Sequence, residues 1–545
     1  MDSIETVLIL FLAVVASGAA GRMLPFAVPL PLVQIAIGAL IASTMDLGVR
    51  LDPQVFFLLF LPPLLFLDGW RIPKDGLFRD AGTILELALS LVVFTVVGMG
   101  FFIHWMIPAM PLAVAFALAA VLAPTDPIAV SAIAARVPVP KRLMHILEGE
   151  SLLNDASGLV CLRFAIAAAL TGTFSAAEAV ATFLWLAAGG LAIGTAIAWG
   201  VVRARGWLAI RYGSDPGSFI LVSLLIPFAA YLAAEHLHCS GILAAVAAGF
   251  TMSFVENPVR LPAASRWRRE AVWDLVQFAA NGVIFILLGE QLPSIFAGAV
   301  ETVRQTGHHE PIWLAVYAAA IMAVLAAGRF AWVWVSLRFT LFRARRRGET
   351  VIRPHLRVIA AASLAGAKGA ITLAGILTLP LALADGSPFP ARDLAIFLAA
   401  TVIILSLAAA SIGLPILLKG LILPPAEHGE AEEDAARVQA AEAAIRAIEH
   451  AQRAITADPS EADLQAQASL RVLTYYRERI DAGSADPDSA ESTRLVRDVE
   501  RRLFKVGLKA EREELVRLAR QRRLGSEAVQ KLIREADLAE ARLGG

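Results

Sequence analysis

The run from Leu147 to Leu162, LEGESLLNDASGLVCL, places Glu148, Glu150, Ser151, Asn154 and Asp155 within eight residues of a strongly apolar neighbourhood. An acidic side chain at the centre of a membrane helix costs ~2.5–3.5 kcal/mol on insertion scales, so a segment carrying several must face water, an ion or a partner charge. On a helix, Ser151 and Asp155 share one face at i, i+4, and Glu150 and Asn154 share the neighbouring face. One strip then offers a hydroxyl and a carboxylate, and the next a carboxylate and an amide. These are hard oxygen ligands, suited to protons and alkali cations rather than soft metals.

Two other stretches carry chemistry of the same kind. Leu122-Ala123-Pro124-Thr125-Asp126-Pro127 puts two prolines around a Thr-Asp pair in an apolar segment. Pro127 cannot donate to a preceding carbonyl, so regular helix is hard to maintain, and lipid cannot satisfy the freed carbonyls of Ala123 or Thr125. The stretch reads either as a proline kink capped by Asp126 or as a helix break at an ion site, and the two are compatible. Later, Ser363-Leu364-Ala365-Gly366-Ala367-Lys368-Gly369-Ala370-Ile371-Thr372 brackets a lysine with glycines that permit unwinding or close packing. Close packing alone would not explain Lys368, which requires a cavity or a partner. Arg329, inside Ala326-Ala327-Gly328-Arg329-Phe330, needs a buried acid, and Glu150 suits it if Asp126 and Asp155 serve the ion. Asp68 ends another apolar run beside Arg71 and fits a cavity mouth. Arg163 and Glu148 sit where they can snorkel, and Glu86 and Glu235 read as solvated or capping acids near span ends.

The elements that must position these groups are membrane helices. Of 545 residues, 57% are hydrophobic, and the mean hydropathy is +0.66; a single soluble core of this size is not built at such apolarity. A span needs ~20 mainly apolar residues, and thirteen candidates follow: 4–20, 25–43, 54–68, 81–103, 110–135, 143–170, 178–201, 217–235, 240–255, 271–289, 311–337, 357–380 and 393–418. The first reads as a span rather than a signal peptide, because it lacks a basic leading region. With the N-terminus outside, the inner loops hold 21 Lys and Arg and the outer loops 3 (Arg50, Arg304 and Arg392), which places the C-terminal part in the cytoplasm. Residues 426–545 hold 20 of the 48 basic and 24 of the 48 acidic residues, so the chain divides into a membrane domain, 1–425, and a charged cytosolic helical tail, 426–545. In the tail, Ile445, Ile448 and Ala451 share a face, as do Leu503, Phe504 and Leu508, with breaks at Asp458-Pro459 and Gly483 to Pro487. It reads as a small helical domain, a dimerising arm or a sensor. No nucleotide motif is present. Cys161 and Cys239 make neither a disulfide framework nor a thiolate metal set.

Four motifs in order, LPPLLFLDGW, VLAPTDPIAV, LEGESLLNDASGL and AGAKGAITLAG, give residues 5–420 a resemblance to the sodium/hydrogen exchangers of the monovalent cation:proton antiporter-1 group, in their bacterial branch. The resemblance implies an all-α, multi-pass inverted-repeat fold of about thirteen helices in the bacterial plasma membrane. It also implies two crossed, interrupted helices, near 125 and 368, and a homodimer. It carries the ion and proton site onto Asp155, Asp126, Asn154, Ser151 and Thr125, with Na⁺ at Asp155, Ser151 and Thr125. It carries a structural ion pair onto Glu150 and Arg329. The family often has Arg where this chain has Lys368, which keeps the charge without the planar fork. An asparagine–aspartate pair such as Asn154-Asp155 implies one-for-one, electroneutral exchange. The expected cargo is Na⁺ or Li⁺ against H⁺, with K⁺/H⁺ exchange as the alternative on the same residues. No cofactor, enzymatic activity or nucleic-acid partner is expected. A channel would need a continuous polar lining, whereas these charges cluster at one depth. An intramembrane aspartyl protease built on Asp126 and Asp155 would not use the paired helix breaks or the basic partners.

Overall fold

The structure is a computed structural model, and it describes residues 3–24, 28–44, 53–72, 74, 78, 81–126, 141–171, 176–213, 215–255, 263–305, 312–346, 356–383, 386–419, 429–454, 462–483, 487–521 and 526–544. Two compact units divide the chain, Met1–Leu421 and Ile422–Gly545.

In the first unit the apolar runs form helices, because only a helix closes every backbone hydrogen bond within its own segment in a hydrocarbon solvent. They are α1 (Ser3–Met23), α2 (Leu30–Thr44), α3 (Pro53–Arg71), α4 (Ala81–Met106), α5 (Leu112–Leu122), α6 (Lys141–Thr171), α7 (Ala176–Tyr212), α8 (Pro216–His236), α9 (Gly241–Val255), α10 (Ala263–Gln305), α11 (Ile312–Arg346), α12 (Leu356–Leu364), α13 (Ala370–Leu377) and α14 (Arg392–Leu418). Among the described residues, eight helices are long and apolar enough to cross a membrane: α1, α4, α6, α7, α8, α10, α11 and α14. Shorter apolar helices, α2, α5 and α9, fill the space between them. The Pro62-Pro63 pair does not interrupt α3. Pro216 starts α8 at a position where a missing N–H costs nothing, and Asp215 caps it by accepting from Ser218 N at 2.7 Å. The Ser218 hydrogen bonds hold the Asp215 carboxyl below its ordinary range.

Two crossings depend on glycine. Gly38 of α2 and Gly289 of α10 each face the other helix's backbone, as do Gly69 of α3 and Gly249 of α9. A Cβ at any of them would strike a carbonyl oxygen (Ile286, Ile35, Val246 and Phe66 respectively), so these helices approach more closely than side chains would allow. One apolar cluster gathers α3, α7, α8, α9 and α10 around the fully buried Trp273, whose indole Nε1 donates to Ser223 at 3.3 Å and whose rings stack on Phe66. A larger cluster runs through α4, α5, α6, α13 and α14 and on to α1, α2 and α10.

Helix α4 is irregular: Glu86–Leu91 is wound as a π-helix. Such a bulge leaves carbonyls to be satisfied elsewhere. Ser157 of α6 donates to Ala88 O within this stretch at 2.7 Å, which pins α6 to α4 one turn from Asn154.

The second unit holds α15 (Gly429–Ala454), α16 (Ala462–Gly483), α17 (Pro487–Arg520) and α18 (Ser526–Gly544). Arg512 of α17 pairs with Glu540 of α18, and its Nε lies 2.9 Å from Asp537. Leu503 and Phe504 are exposed on α17. The expected break at Asp458-Pro459 lies outside the described residues, as do residues 484–486 of the second.

Candidate ion site

The expected polar strip falls in the middle of α6, with Glu150, Ser151, Asn154 and Asp155 all buried. It faces two helix breaks. Helix α5 ends at Leu122, and residues 123–126 are not helical. Residues 365–369 separate α12 from α13. Pro127, invoked above for the first break, lies outside the described residues.

The breaks lie against each other. Asp126 N donates to Ala367 O at 2.8 Å, so a backbone group freed in one stretch is satisfied by the other. Lys368 Nζ donates to Pro124 O at 2.9 Å and Ala123 O at 3.3 Å, and its backbone N donates to Ser406 of α14 at 2.9 Å. The buried ammonium thus stands in for the amide donors that the first break lacks. Gly369 sits directly over Asp126, where a Cβ would overlap the carboxyl group.

Beneath this crossing the polar groups fall into two sets. In the first, Arg329 reaches Glu150 through both of its terminal nitrogens, Nη1 to Oε1 at 2.6 Å and Nη2 to Oε2 at 2.7 Å. Thr125 Oγ1 donates to Glu150 Oε1 at 3.1 Å, and Asn154 Nδ2 donates to Thr125 Oγ1 at 3.0 Å. Asn154 Oδ1 finds no hydrogen-bond partner among the described residues. This set is a charge-assisted network with Glu150 at its centre, in which both Glu150 oxygens are satisfied.

The second set lines a cavity of about 600 Å³. Its carboxylates are Asp68 of α3, Asp126 of the first break, Glu148 and Asp155 of α6, and Asp274 of α10. Ser151 joins them, and Arg71 stands with Asp274 and Gln277. Arg71 spans between α3 and α10, 2.5 Å from Asp274 Oδ1 and 3.0 Å from Gln277 Oε1. Asp155, at 4% exposure, lies at the innermost part of a site whose lining carries five acids and one base. Such a lining concentrates cations and repels anions.

Of the nine residues singled out in the sequence, Asp68, Asp126, Ser151 and Asp155 therefore line the cavity. Thr125, Asn154, Glu150 and Arg329 form the network behind it, and Lys368 closes the breaks above. Asp274, Gln277 and Asn281, which also line the cavity, were not picked out by sequence reasoning. Their signal was present, because polar residues at 274, 277 and 281 recur at helical spacing in an apolar stretch of α10. Glu235 caps α9, its Oε1 accepting from Gly241 N at 3.2 Å, and it also pairs with Arg163 at 2.7 Å.

Comparison with known proteins identifies the family and a likeness of fold. Residues 7–420 match the family described as "Sodium/hydrogen exchanger, transmembrane". The chain is 42% identical to a protein of Escherichia coli (strain K12) named "Uncharacterized Na(+)/H(+) exchanger YjcE", over 100% of this chain and 99% of that one. It is 43% identical to the "Sodium, potassium, lithium and rubidium/H(+) antiporter" of Bacillus pumilus, over 76% of this chain and 61% of that protein. The identically named Bacillus subtilis protein is 37% identical, over 95% and 75%. Among solved structures, the sodium proton antiporter MjNhaP1 from Methanocaldococcus jannaschii at pH 8 superposes with a TM-score of 0.58 at 18% identity, over 77% of this chain and 99% of that one, a likeness of fold.

Proposed function

The chain belongs to the sodium/hydrogen exchanger family, and on that premise we propose that it exchanges Na⁺ or Li⁺ for H⁺ by competition at Asp155. The observation that carries this reading is the position of Asp155, buried yet lining an acidic cavity, with Ser151 one helical turn away on the same face. A bare carboxylate is costly there and is relieved either by a proton or by a cation. The two occupants exclude each other, so each turn of the cycle carries one charge in each direction and the exchange is electroneutral.

The other residues keep that competition confined to Asp155. Arg329 neutralises Glu150, leaving no second free carboxylate in the network. Thr125 and Asn154 complete the network behind the cavity, and Asn154 Oδ1, without a partner among the described residues, is an oxygen left over for a cation that sheds its water. Lys368 keeps the two breaks joined, so that the crossing holds its shape as the cavity side changes. Asp68, Asp126 and Asp274 draw cations toward the floor.

The same reading has residues 1–425 form a dimeric membrane unit of thirteen spans with the N-terminus outside, and residues 426–545 a cytoplasmic helical domain. The crossed helices of its core are the segments broken at 123–126 and 365–369. The Asp68 cavity then opens to the cytoplasm. A second reading, exchange of K⁺ as well as Na⁺, is favoured by the breadth of cations in the names of the two Bacillus relatives.

The test uses everted vesicles containing the protein. Adding Na⁺ or Li⁺ should dissipate an imposed pH gradient, and clamping the membrane potential at zero should leave the rate unchanged. A rate that follows the potential overturns electroneutrality, and an equal response to K⁺ selects the second reading.

A further inference from the structure

A second cavity, of about 530 Å³, lies along the same three helices as the acidic one, displaced toward their opposite ends. On α3 the acidic cavity takes Leu64, Asp68 and Arg71, and the second takes Phe57 and Leu58. On α6 the division falls between Asp155 and Leu159, four residues or about 6 Å of helix apart. On α13 it falls between Ile371 and the C-cap Thr378. Between these stretches, Leu61 of α3 and Leu373 of α13 are apolar and buried.

The walls of the second cavity carry one pair of charges, Arg163 of α6 and Glu235 of α8. Arg163 Nη2 donates to Glu235 Oε1 at 2.7 Å, and that same oxygen accepts from the backbone N of Gly241 at the head of α9, at 3.2 Å. Glu235 is therefore anchored on the α8–α9 corner, with Tyr231 packed one turn above against Gly241. Arg163 rides on the helix that bears Asp155, two turns away. Helix α6 packs chiefly on α5 and α4, whereas α8 packs on α9, α7 and α3. The ion pair ties two helix groups that otherwise hardly touch at this end, and its side chains, 40% and 32% exposed, stand in the cavity wall with room to part.

We propose that Arg163 and Glu235 form a latch that keeps the second cavity closed off from Asp155 while the acidic cavity is open, and that parting the pair opens a path from the second cavity to Asp155. The proposal rests on the exchange reading above and deepens it by naming the contact that changes between its two states. A cation entering from this side meets Glu235 first, and Arg163 must leave Glu235 to let α6 move.

The experiment uses the full chain in vesicles with Cys161→Ser, Cys239→Ser and Leu162→Cys, the last placing a thiol at the buried floor of the second cavity. A membrane-impermeant thiol reagent is applied from the side on which that cavity opens. Glu235→Gln and, separately, Arg163→Gln should each raise the labelling rate roughly fivefold, the shift expected from losing a partly exposed pair. The exchanged pair, Arg163→Glu with Glu235→Arg, should return it toward the starting value. Equal labelling in all four backgrounds overturns the latch, as does fast labelling that the exchanged pair fails to reverse when its thermal melting is unchanged. Ion movement is followed in the same vesicles. Latch-dependent labelling without Na⁺-dependent H⁺ movement would keep the latch and remove the exchange reading, whereas normal exchange with uniform labelling would do the reverse.

Discussion

Glu150 and Arg329 lie 179 residues apart in the chain and meet in a two-pronged ion pair at 2.6 and 2.7 Å, with Glu150 1% and Arg329 8% exposed. The planar fork of the guanidinium matches the carboxylate, and Thr125 takes a further acceptor site on Glu150 Oε1. Removing one partner of such a buried pair leaves an uncompensated charge and costs about 3–5 kcal/mol. Glu150→Ala should therefore lower the thermal midpoint in detergent markedly. Whatever protein survives should retain its apparent Na⁺ affinity. A variant with a normal midpoint and no Na⁺ response would instead make Glu150 a ligand.

Asp155→Asn is the complementary case. The amide is isosteric, carries no charge to neutralise, and sits at a cavity wall rather than inside the Glu150 network. The variant should fold, with a thermal midpoint close to that of the parent, and should show no Na⁺-dependent H⁺ movement in vesicles at any pH. Retained exchange would move the competition to another carboxylate of the cavity, Asp126 being next in line.

The sequence was most informative where the cost of a polar group in lipid is highest. Glu150, Asp155, Arg329 and Lys368 stand out because each sits inside an apolar run and demands a reason, and they gather around one crossing. The breaks were legible from the prolines at 124 and 127 and the glycines at 366 and 369, residues that act on the backbone locally. What sequence did not yield was pairing between distant helices near the cavity mouths. Arg71 meets Asp274 across 203 positions and Arg163 meets Glu235 across 72, and each of these residues, taken alone, passes for a solvated span end. Nor did it distinguish residues that line the cavity from those behind it. Ser151 and Asn154 are three residues apart, and only the rotation of α6 puts one in the cavity and the other in the network.

Lys368 provides a test of how the breaks are held. Its Nζ serves the carbonyls of Ala123 and Pro124, which have no helix donor. Lys368→Met removes the donor and keeps the volume, leaving buried acceptors unpaired at about 1–3 kcal/mol. The midpoint should fall accordingly, and exchange should slow. Lys368→Arg retains charge and donors and should recover most of the stability, as thermal unfolding of the three proteins side by side would measure.

The second unit offers a pH dependence of its own. The Arg512 hydrogen bond holds the Glu540 carboxyl below its ordinary range. A group depressed in the folded state contributes stability above its unfolded value, about 4.3 for glutamate, and loses it as pH falls through the folded value. Amides of α18 should thus exchange faster with deuterium as the pH is taken down through the acidic range. In Arg512→Ala that acid-dependent component should be smaller, since Glu540 would then titrate alike in both states.

Gly369 separates close packing from mere flexibility. Its missing side chain leaves the room taken by the Asp126 carboxyl, and any Cβ would overlap it. Gly369→Ala must push Asp126 aside or part the two breaks, at the cost of the Asp126 N to Ala367 O bond. Gly328, inside α11, has only the Phe94 ring near, at 3.8 Å, an ordinary contact. Gly328→Ala should be tolerated and slightly stabilising, since alanine is the better helix former by about 1 kcal/mol. Gly369→Ala should abolish or severely slow Na⁺-dependent H⁺ movement in vesicles while Gly328→Ala leaves it intact. Equal rates in the two variants would show that Asp126 can leave its place beneath Gly369 without consequence for the ion path.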